Sequence, residues 1–178
     1  ALNSGQVGAV RAATYIANRY QDAPRESTSF WGAVKEQVTA QAKTYDRYLA
    51  AGPGAVDLDL IRPAIQERMS AAGAFIRSAA KTAEALAEAK ELYRAIEANG
   101  IRCRDRRSLA RASEDRLLAL TSIAFLQAID TYIANGGGSR GGYMILDDDG
   151  DLTVESKRGS ELRHRSENEA KRQEILNV

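Results

Sequence analysis

Apolar residues recur at helical spacing along most of this 178-residue chain. The spacing predicts four helical segments, over about residues 4–20, 27–51, 57–99 and 113–134. The third segment is long, and the small residues Ser78-Ala79-Ala80 predict a bend or break within it. Gly52-Pro53-Gly54 and Asn99-Gly100 predict stops between segments, because proline and glycine end helices. The chain is therefore expected to be mainly α.

Each predicted helix has an apolar stripe that is expected to face a core. In the third segment the stripe contains Ile61, Ile65, Met69, Ala72, Phe75 and Ile76. In the fourth it contains Leu117, Leu120, Ala124, Ala128, Ile129 and Ile133. Trp31, Tyr45 and Tyr48 also lie at helical spacing, which favours a core or a domain seam over a ligand site.

The pattern changes after the glycines at 136–138. Short apolar runs at 143–146 and 152–154 flank Asp147-Asp148-Asp149-Gly150-Asp151, which predicts a β-hairpin because Asp-Gly is a turn signal. A calcium loop is the alternative, but Gly150 is misplaced for one and Arg158 stands where a bidentate Glu is needed. The tail from Lys157 is charged and is expected to be solvated or disordered, with His164 exposed.

The bulk composition excludes several functions without selecting one. The net charge is +1, so no overall field favours nucleic acid. No uninterrupted apolar run reaches the length of a membrane span, and direct membrane insertion is not expected. The single cysteine, Cys103, provides neither an internal disulfide nor a cysteine zinc site, and it fits a cytoplasmic location. No metal site is expected.

Five arginines between residues 102 and 111 could bind phosphate or nucleic acid. Asp105, Glu114 and Asp115 dilute the cluster, and no aromatic residue interleaves it. A solvated or partner-facing connector is therefore favoured. Cys103 has arginine neighbours that could lower its pKa, but no paired histidine, so it is treated as incidental.

The first residues combine helix capping with small side chains. Asn3 or Ser4 can cap the first helix, whose free N–H groups then form an anion-binding end. Gly5 and Gly8 permit a close approach to another backbone or to a cofactor. A chain that starts at a cap without a Met is expected to have been cut from a larger protein.

Three groups of residues, in this order along the chain, resemble a known family. Asn3-Ser4-Gly5 with Val7, Gly8 and Arg11 looks like the last flavin-contacting loop and helix of the fumarate reductase, succinate dehydrogenase and L-aspartate oxidase flavoproteins. Met69, Gly73 and Arg77 match the spacing of a helix in that family, and Ser139-Arg140-Gly141 matches a motif after its last bundle helix. The chain departs from the family at Gly5, Gly142 and Tyr143.

The resemblance implies an FAD-dependent oxidoreductase of which this chain is the C-terminal portion. The implied parts are the last helix of the FAD-binding domain (1–24), an antiparallel three-helix bundle (25–135), and a Gly-rich linker, hairpin and charged tail (136–178). Asn3, Ser4 and Gly5 would contact FAD, and Ser139, Arg140 and Gly141 would dock the bundle onto the flavin domain. No Gly-x-Gly-x-x-Gly motif follows a predicted strand, so the dinucleotide-binding half of such an enzyme is not expected within this sequence. The chain alone is therefore expected to be inactive, with no catalytic residue of its own.

The resemblance also implies partners. The first is the flavin-binding domain of the same parent chain, and others are an electron-transfer subunit, which could hold the enzyme at a membrane, and a second copy of this chain. The alternative interpretation is a stand-alone helical bundle that serves as a protein-interaction module without catalytic activity.

Overall fold

The computed structural model describes residues 2–20, 22, 26–155 and 159–176, with side chains from Gly5 onward. The chain divides into two compact units, Ala1–Ala42 and Lys43–Val178. The described residues form mainly α-helix, as the apolar spacing predicted, together with two small sheets.

The first unit contains α1 (Leu2–Arg19) and the first part of α2 (Ser27–Leu49), which continues into the second unit. Because α1 begins at Leu2, the backbones of Asn3 and Ser4 lie inside the helix rather than at its N-cap. Of the described side chains between residues 5 and 42, all but Val34 are exposed. These helices therefore present apolar residues to solvent.

The second unit contains the remaining helices. They are α3 (Leu58–Arg68), α4 (Ala79–Asn99), α5 (Ser108–Ala134) and α6 (Glu169–Leu176). The expected break in the long third segment is confirmed, but it is wider than expected, because a π-helical turn (Met69–Gly73) and a strand precede α4. Gly100, at φ +76°, ends α4, and Gly136, at φ +83°, follows α5. The predicted stop at Asn99-Gly100 is confirmed, and α2 ends at Leu49, just before the other predicted stop at Gly52-Pro53-Gly54.

Two small sheets connect the helices of the second unit. One pairs β1 (Val56–Asp57) with β3 (Ile101–Arg102) in parallel. The other has four strands in the order β2, β4, β6, β5, namely Ile76–Ser78, Met144–Leu146, Glu161–His164 and Leu152–Glu155. Strands β2 and β4 are parallel, and the other two pairs are antiparallel.

This topology corrects two expectations about the C-terminal part. The runs at 143–146 and 152–154 do not pair with each other, because β6 lies between β4 and β5. The tail is not a solvated coil over residues 161–176, since it supplies β6 and α6. Backbone hydrogen bonds to neighbouring strands order it, and these do not depend on apolar content.

The core of the second unit lies between α3, α4 and α5. The buried face of α5 consists of Ala112, Asp115, Ala119, Ser122, Leu126, Ile129 and Ile133. The expectation that Leu117 and Leu120 face inward is therefore wrong, and Phe75 and Ile76 are likewise exposed. The predicted burial of Ile129 and Ile133 is confirmed, whereas Ala124 and Ala128 are exposed. Helix α5 has apolar residues around most of its circumference, so spacing alone did not identify its whole buried face. Small side chains on the buried face allow α4 to approach closely.

Among the described helices, α5 also has the length and composition of a membrane span. An 18-residue window within it has a mean hydropathy of 1.6, and 28% of that window is buried in this fold. A core helix can pass the same test. Because so little of the window is buried, α5 leaves much apolar surface uncovered.

Candidate functional site

An aromatic pocket lies beside Arg77 in the second unit. We call it the Arg77 pocket; its volume is about 400 Å³, and it is lined by Met69, Gly73, Arg77, Phe125, Ala128, Ile129, Tyr132 and Tyr143. The lining comes from the π turn, β2, α5 and the loop before β4. Ligand sites commonly combine apolar walls with a few polar groups in this way.

Arg77 is fixed within this pocket by backbone carbonyls and an aromatic ring. Its Nε donates to the carbonyl of Ala74 at 2.8 Å, and Nη2 donates to that of Gly73 at 3.1 Å. The centre of the guanidinium lies 4.3 Å from the centroid of the Tyr143 ring, a cation–π distance. Burial lowers the pKa of Arg77, although the residue remains charged near neutral pH.

The parallel pairing of β2 and β4 brings these residues together. Arg77 is in register with Ile145, and the N–H of Met144 donates to the carbonyl of Phe75 at 2.7 Å. Tyr143 comes directly before β4, so its ring lies beside the Arg77 side chain. The structure thus joins Met69-Gly73-Arg77 to the end of the Ser139–Tyr143 segment.

Tyr132 forms the second aromatic wall of the pocket. Its ring lies 6.1 Å from that of Tyr143, with an interplanar angle of 88°, an edge-to-face arrangement. Its hydroxyl donates to the carbonyl of Gly138 at 3.2 Å. Burial raises the pKa of Tyr132 to about 12, so the hydroxyl stays protonated and keeps this hydrogen bond.

The glycines before Ser139 are required by close packing. A Cβ at Gly137 would overlap the Tyr132 ring, and one at Gly138 would overlap the carbonyl oxygen of Ser166. By contrast, a Cβ at Gly141 would meet nothing within 4 Å. At Gly138 the backbone of the Gly-rich segment therefore packs directly against the backbone at Ser166. At Gly141 the segment is an open loop.

Ser139 connects the Gly-rich segment to β4 and to the tail. Its Oγ accepts a hydrogen bond from the N–H of Ile145 at 2.9 Å and lies 3.0 Å from Nδ1 of His164. Its own N–H donates to the carbonyl of Arg165 at 2.8 Å. The expectation of an exposed His164 is wrong, because this ring is half-buried in β6. Sequence spacing gave no signal for a contact between these segments.

Arg140 follows Ser139 but forms an ion pair with the tail. Its Nε lies 3.0 Å from Oε2 of Glu167, and the Arg140 side chain is half-exposed. The docking roles of Ser139, Arg140 and Gly141 remain predictions. In this fold Ser139 is held inside the unit, while the loop at Gly141 is open.

The cofactor residues expected at the N-terminus lie in α1. The side chains of Asn3 and Ser4 are outside the described part of the structure, and Gly5 is exposed. A Cβ at Gly5 would meet nothing within 4 Å, and the first turn of α1 contains no acidic residue. The positive end of the α1 dipole is therefore not offset by an acidic side chain in its first turn, which is compatible with binding of an anionic group.

Three of the five arginines between residues 102 and 111 are paired with acidic residues around the start of α3. Arg102 pairs with Asp57, and both Arg104 and Arg111 pair with Asp59, at 2.8 and 2.9 Å. Beside them, the fully buried Asp115 accepts from Arg62 Nε at 2.7 Å. Arg102, Arg104 and Arg111 are therefore used in ion pairs near the junction of α3 with α5 and do not form a free basic patch.

Cys103 and the aspartates around Gly150 serve the fold. Cys103 is buried, and burial raises the pKa of its thiol instead of lowering it. Asp147 pairs with Arg165, and Asp151 accepts from both the N–H and the hydroxyl of Ser166. Within the described ranges, no three potential metal ligands converge.

Comparison of the chain with protein-family models, with curated proteins and with solved structures gives no match. The Arg77 pocket and the packed segment around Ser139 are therefore interpreted from their own geometry. Sequence reasoning selected Arg77 and Ser139 but missed Tyr132 and His164. The pairing of β6 with β4 brings in His164, whereas Tyr132 lies on α5 and packs against Tyr143.

Proposed function

We propose that this chain is the C-terminal helical portion of an FAD-dependent oxidoreductase similar to fumarate reductase and succinate dehydrogenase flavoproteins. The whole enzyme would transfer hydride between FAD and a small carboxylate or related substrate. This portion would brace the flavin domain through an antiparallel three-helix bundle over residues 25–135, and it would contribute the N-terminus of α1 to the cofactor site. No catalytic residue is assigned to this chain.

The observation that carries the proposal is the meeting of two segments on which the resemblance depends. Met69, Gly73 and Arg77 lie far from Tyr143 in the sequence, yet all four line one pocket. Arg77 and Tyr143 are in direct cation–π contact. Tyr143 is itself a departure from the family, but its backbone is hydrogen-bonded to that of Arg140 in the matching Ser139-Arg140-Gly141 motif. The contact therefore brings two segments that match one family close together, as expected if they share a structural role.

The N-terminal helices give independent support. The apolar side chains of Val10, Ile16 and Phe30 are each more than half exposed. Apolar surface of this extent usually contacts another protein surface. A flavin domain around α1 would cover it.

Helix α1 fits the cofactor role chemically. The backbone N–H groups of Asn3, Ser4 and Gly5 would bind the anionic end of the flavin ring, because no acidic side chain in the first turn opposes the helix dipole. When bound, FAD supplies the hydride chemistry. The residues of this chain would orient the ring and stabilise its negative charge.

The visible absorption spectrum of the protein expressed from the natural start of its gene tests the proposal. We expect flavin bands that bleach with dithionite and return when a carboxylate acceptor such as fumarate is added. A folded, colourless protein that takes up no added FAD would contradict the proposal. It would favour the stand-alone interaction module instead.

A further inference from the structure

The charge of Arg77 is not balanced by a carboxylate among the residues that the structure describes. Among the described arginines that are partly buried, an acidic partner within 4 Å is present for Arg62, Arg68, Arg116, Arg165 and Arg172. Arg77 is also partly buried, but no described carboxylate forms an ion pair with it. Partial burial of an unpaired charge is costly, and the usual compensation is an opposite charge.

The hydrogen bonds of Arg77 leave part of its guanidinium free for a ligand. Nε and one N–H of Nη2 are directed to the carbonyls of Ala74 and Gly73. The guanidinium has five N–H donors, so Nη1 and the second N–H of Nη2 remain available. Two such donors can hold one carboxylate in a bidentate arrangement.

The surroundings of the pocket resemble a protein interface more than an enclosed ligand cavity. Phe125 lines the pocket and is 61% exposed, and Phe75 and Ile76, directly before Arg77 in the chain, are 55% and 45% exposed. Leu118, two turns before Phe125 on α5, is also exposed. Aromatic residues and arginine within an apolar surround are typical of the energetic centre of interfaces.

We propose that the Arg77 pocket is a docking site for an acidic side chain on a protein partner, an aspartate or glutamate flanked by apolar residues. The carboxylate binds the free N–H groups of Arg77 between the rings of Tyr143 and Phe125. The flanking apolar residues cover Phe75 and Ile76. The site is separate from Arg140, whose own carboxylate partner, Glu167, lies within this chain.

This inference does not depend on the flavin proposal, because it rests on the charge and the shape of the pocket alone. If the flavin proposal is correct, the flavin domain of the parent enzyme is the expected source of the acidic segment. A colourless protein in the absorption test would leave the docking test unchanged.

A random peptide library displayed on phage and selected against the intact 178-residue chain tests the docking site. We expect selected peptides to share an Asp or Glu next to apolar residues. Replacing that Glu with Gln in a synthetic peptide should weaken binding roughly tenfold to a hundredfold, since a charge-assisted pair is lost. On the Arg77→Gln chain the two peptides should bind equally, which assigns the carboxylate to Arg77.

Two further variants separate docking from folding. Phe125→Glu places a carboxylate at the exposed edge of the pocket, so it should abolish peptide binding, whereas Phe125→Gln should retain part of it. Arg140→Gln should bind acidic peptides as the unmodified chain does. Selection of neutral peptides, failure to select any, or equal loss of binding with Arg140→Gln would overturn the proposal. Circular dichroism of each variant verifies that the helices are intact.

Discussion

The hydroxyl of Ser139 lies 3.0 Å from Nδ1 of His164, and it also accepts the N–H of Ile145 at 2.9 Å. One small side chain therefore connects the Gly-rich segment to the central strand of the sheet and to the tail. The hydroxyl accepts from Ile145, and which partner donates in its contact with the ring depends on the tautomer of His164.

Replacing Ser139 with alanine should destabilise the second unit by about 1–3 kcal/mol, because the buried N–H of Ile145 loses its partner. Chemical denaturation followed by circular dichroism measures the change in the free energy of unfolding. Ser70→Ala, at an exposed serine of the π turn, is the matched control and should change it by less than about 0.5 kcal/mol. Equal effects of the two substitutions would refute the bridging role of Ser139.

Gly138→Ala should destabilise the fold by about 1–3 kcal/mol or displace the tail, since its Cβ would overlap the carbonyl oxygen of Ser166. Gly141→Ala lies in the same segment, and its Cβ would meet nothing within 4 Å, so thermal unfolding should be nearly unchanged. Limited proteolysis of the tail gives a second readout. A tail equally resistant to protease in both variants, with equal melting temperatures, would show that the two backbones are not in contact at Gly138.

Acid should weaken the attachment of the tail. The hydrogen bond from Arg165 holds the pKa of Asp147 below its ordinary value, and the hydrogen bonds from Ser166 do the same for Asp151. A lowered pKa in the folded state means that the stabilisation is fully present above the unfolded pKa of about 4 and is lost as the pH falls through the folded pKa.

The difference in melting temperature between the original chain and Asp147→Asn should therefore be largest near pH 7 and shrink as the pH falls below the unfolded pKa of about 4. Asp148→Asn, at an exposed position in the same turn without an ion pair among those described, controls for net charge. A difference that stays constant over this pH range would exclude the Asp147 carboxylate as the source.

Asp115 should stabilise the packing of α3 against α5. It is fully buried, and Arg62 donates to it at 2.7 Å. Asp115→Asn should cost about 1–3 kcal/mol, because a charge-assisted hydrogen bond becomes a neutral one or is lost. The neighbouring Glu114 also contacts Arg62 but is 68% exposed, so Glu114→Gln should cost less than about 0.5 kcal/mol. Denaturant titrations of both variants make the comparison.

The helices could be predicted from sequence because their signals are local. Glycine stops and apolar spacing located most of α1, α2, α4 and α5 to within a few residues. The start of α5 was missed, because residues 101–112 have many arginines and little periodicity. Their acidic partners, Asp57 and Asp59, lie on β1 and α3, and no local pattern reveals such a pairing.

The four-stranded sheet could not be predicted from sequence, and neither could the positions of Tyr132 and His164 in the site. Strand β2 is three residues long and follows a helix, and its partner β4 lies on the far side of α4 and α5 in the sequence. Parallel pairing of this kind leaves no short-range signal. Arg77 was selected through the resemblance, but two of its features could be seen only in three dimensions. They are its contact with Tyr143 and the lack of an acidic partner among the described residues.

The continuity of α5 fixes a distance within the second unit. At 27 residues the helix is about 40 Å long, and Asp115 and Tyr132 lie on it about 25 Å apart. Inserting one residue between them would turn one end by about 100° relative to the other, so that either the carboxylate or the ring would leave its partners. Helix α5 thus fixes both the separation and the relative orientation of Asp115 and Tyr132. Related chains can therefore vary in length at the open loop around Gly141, but not between these two positions.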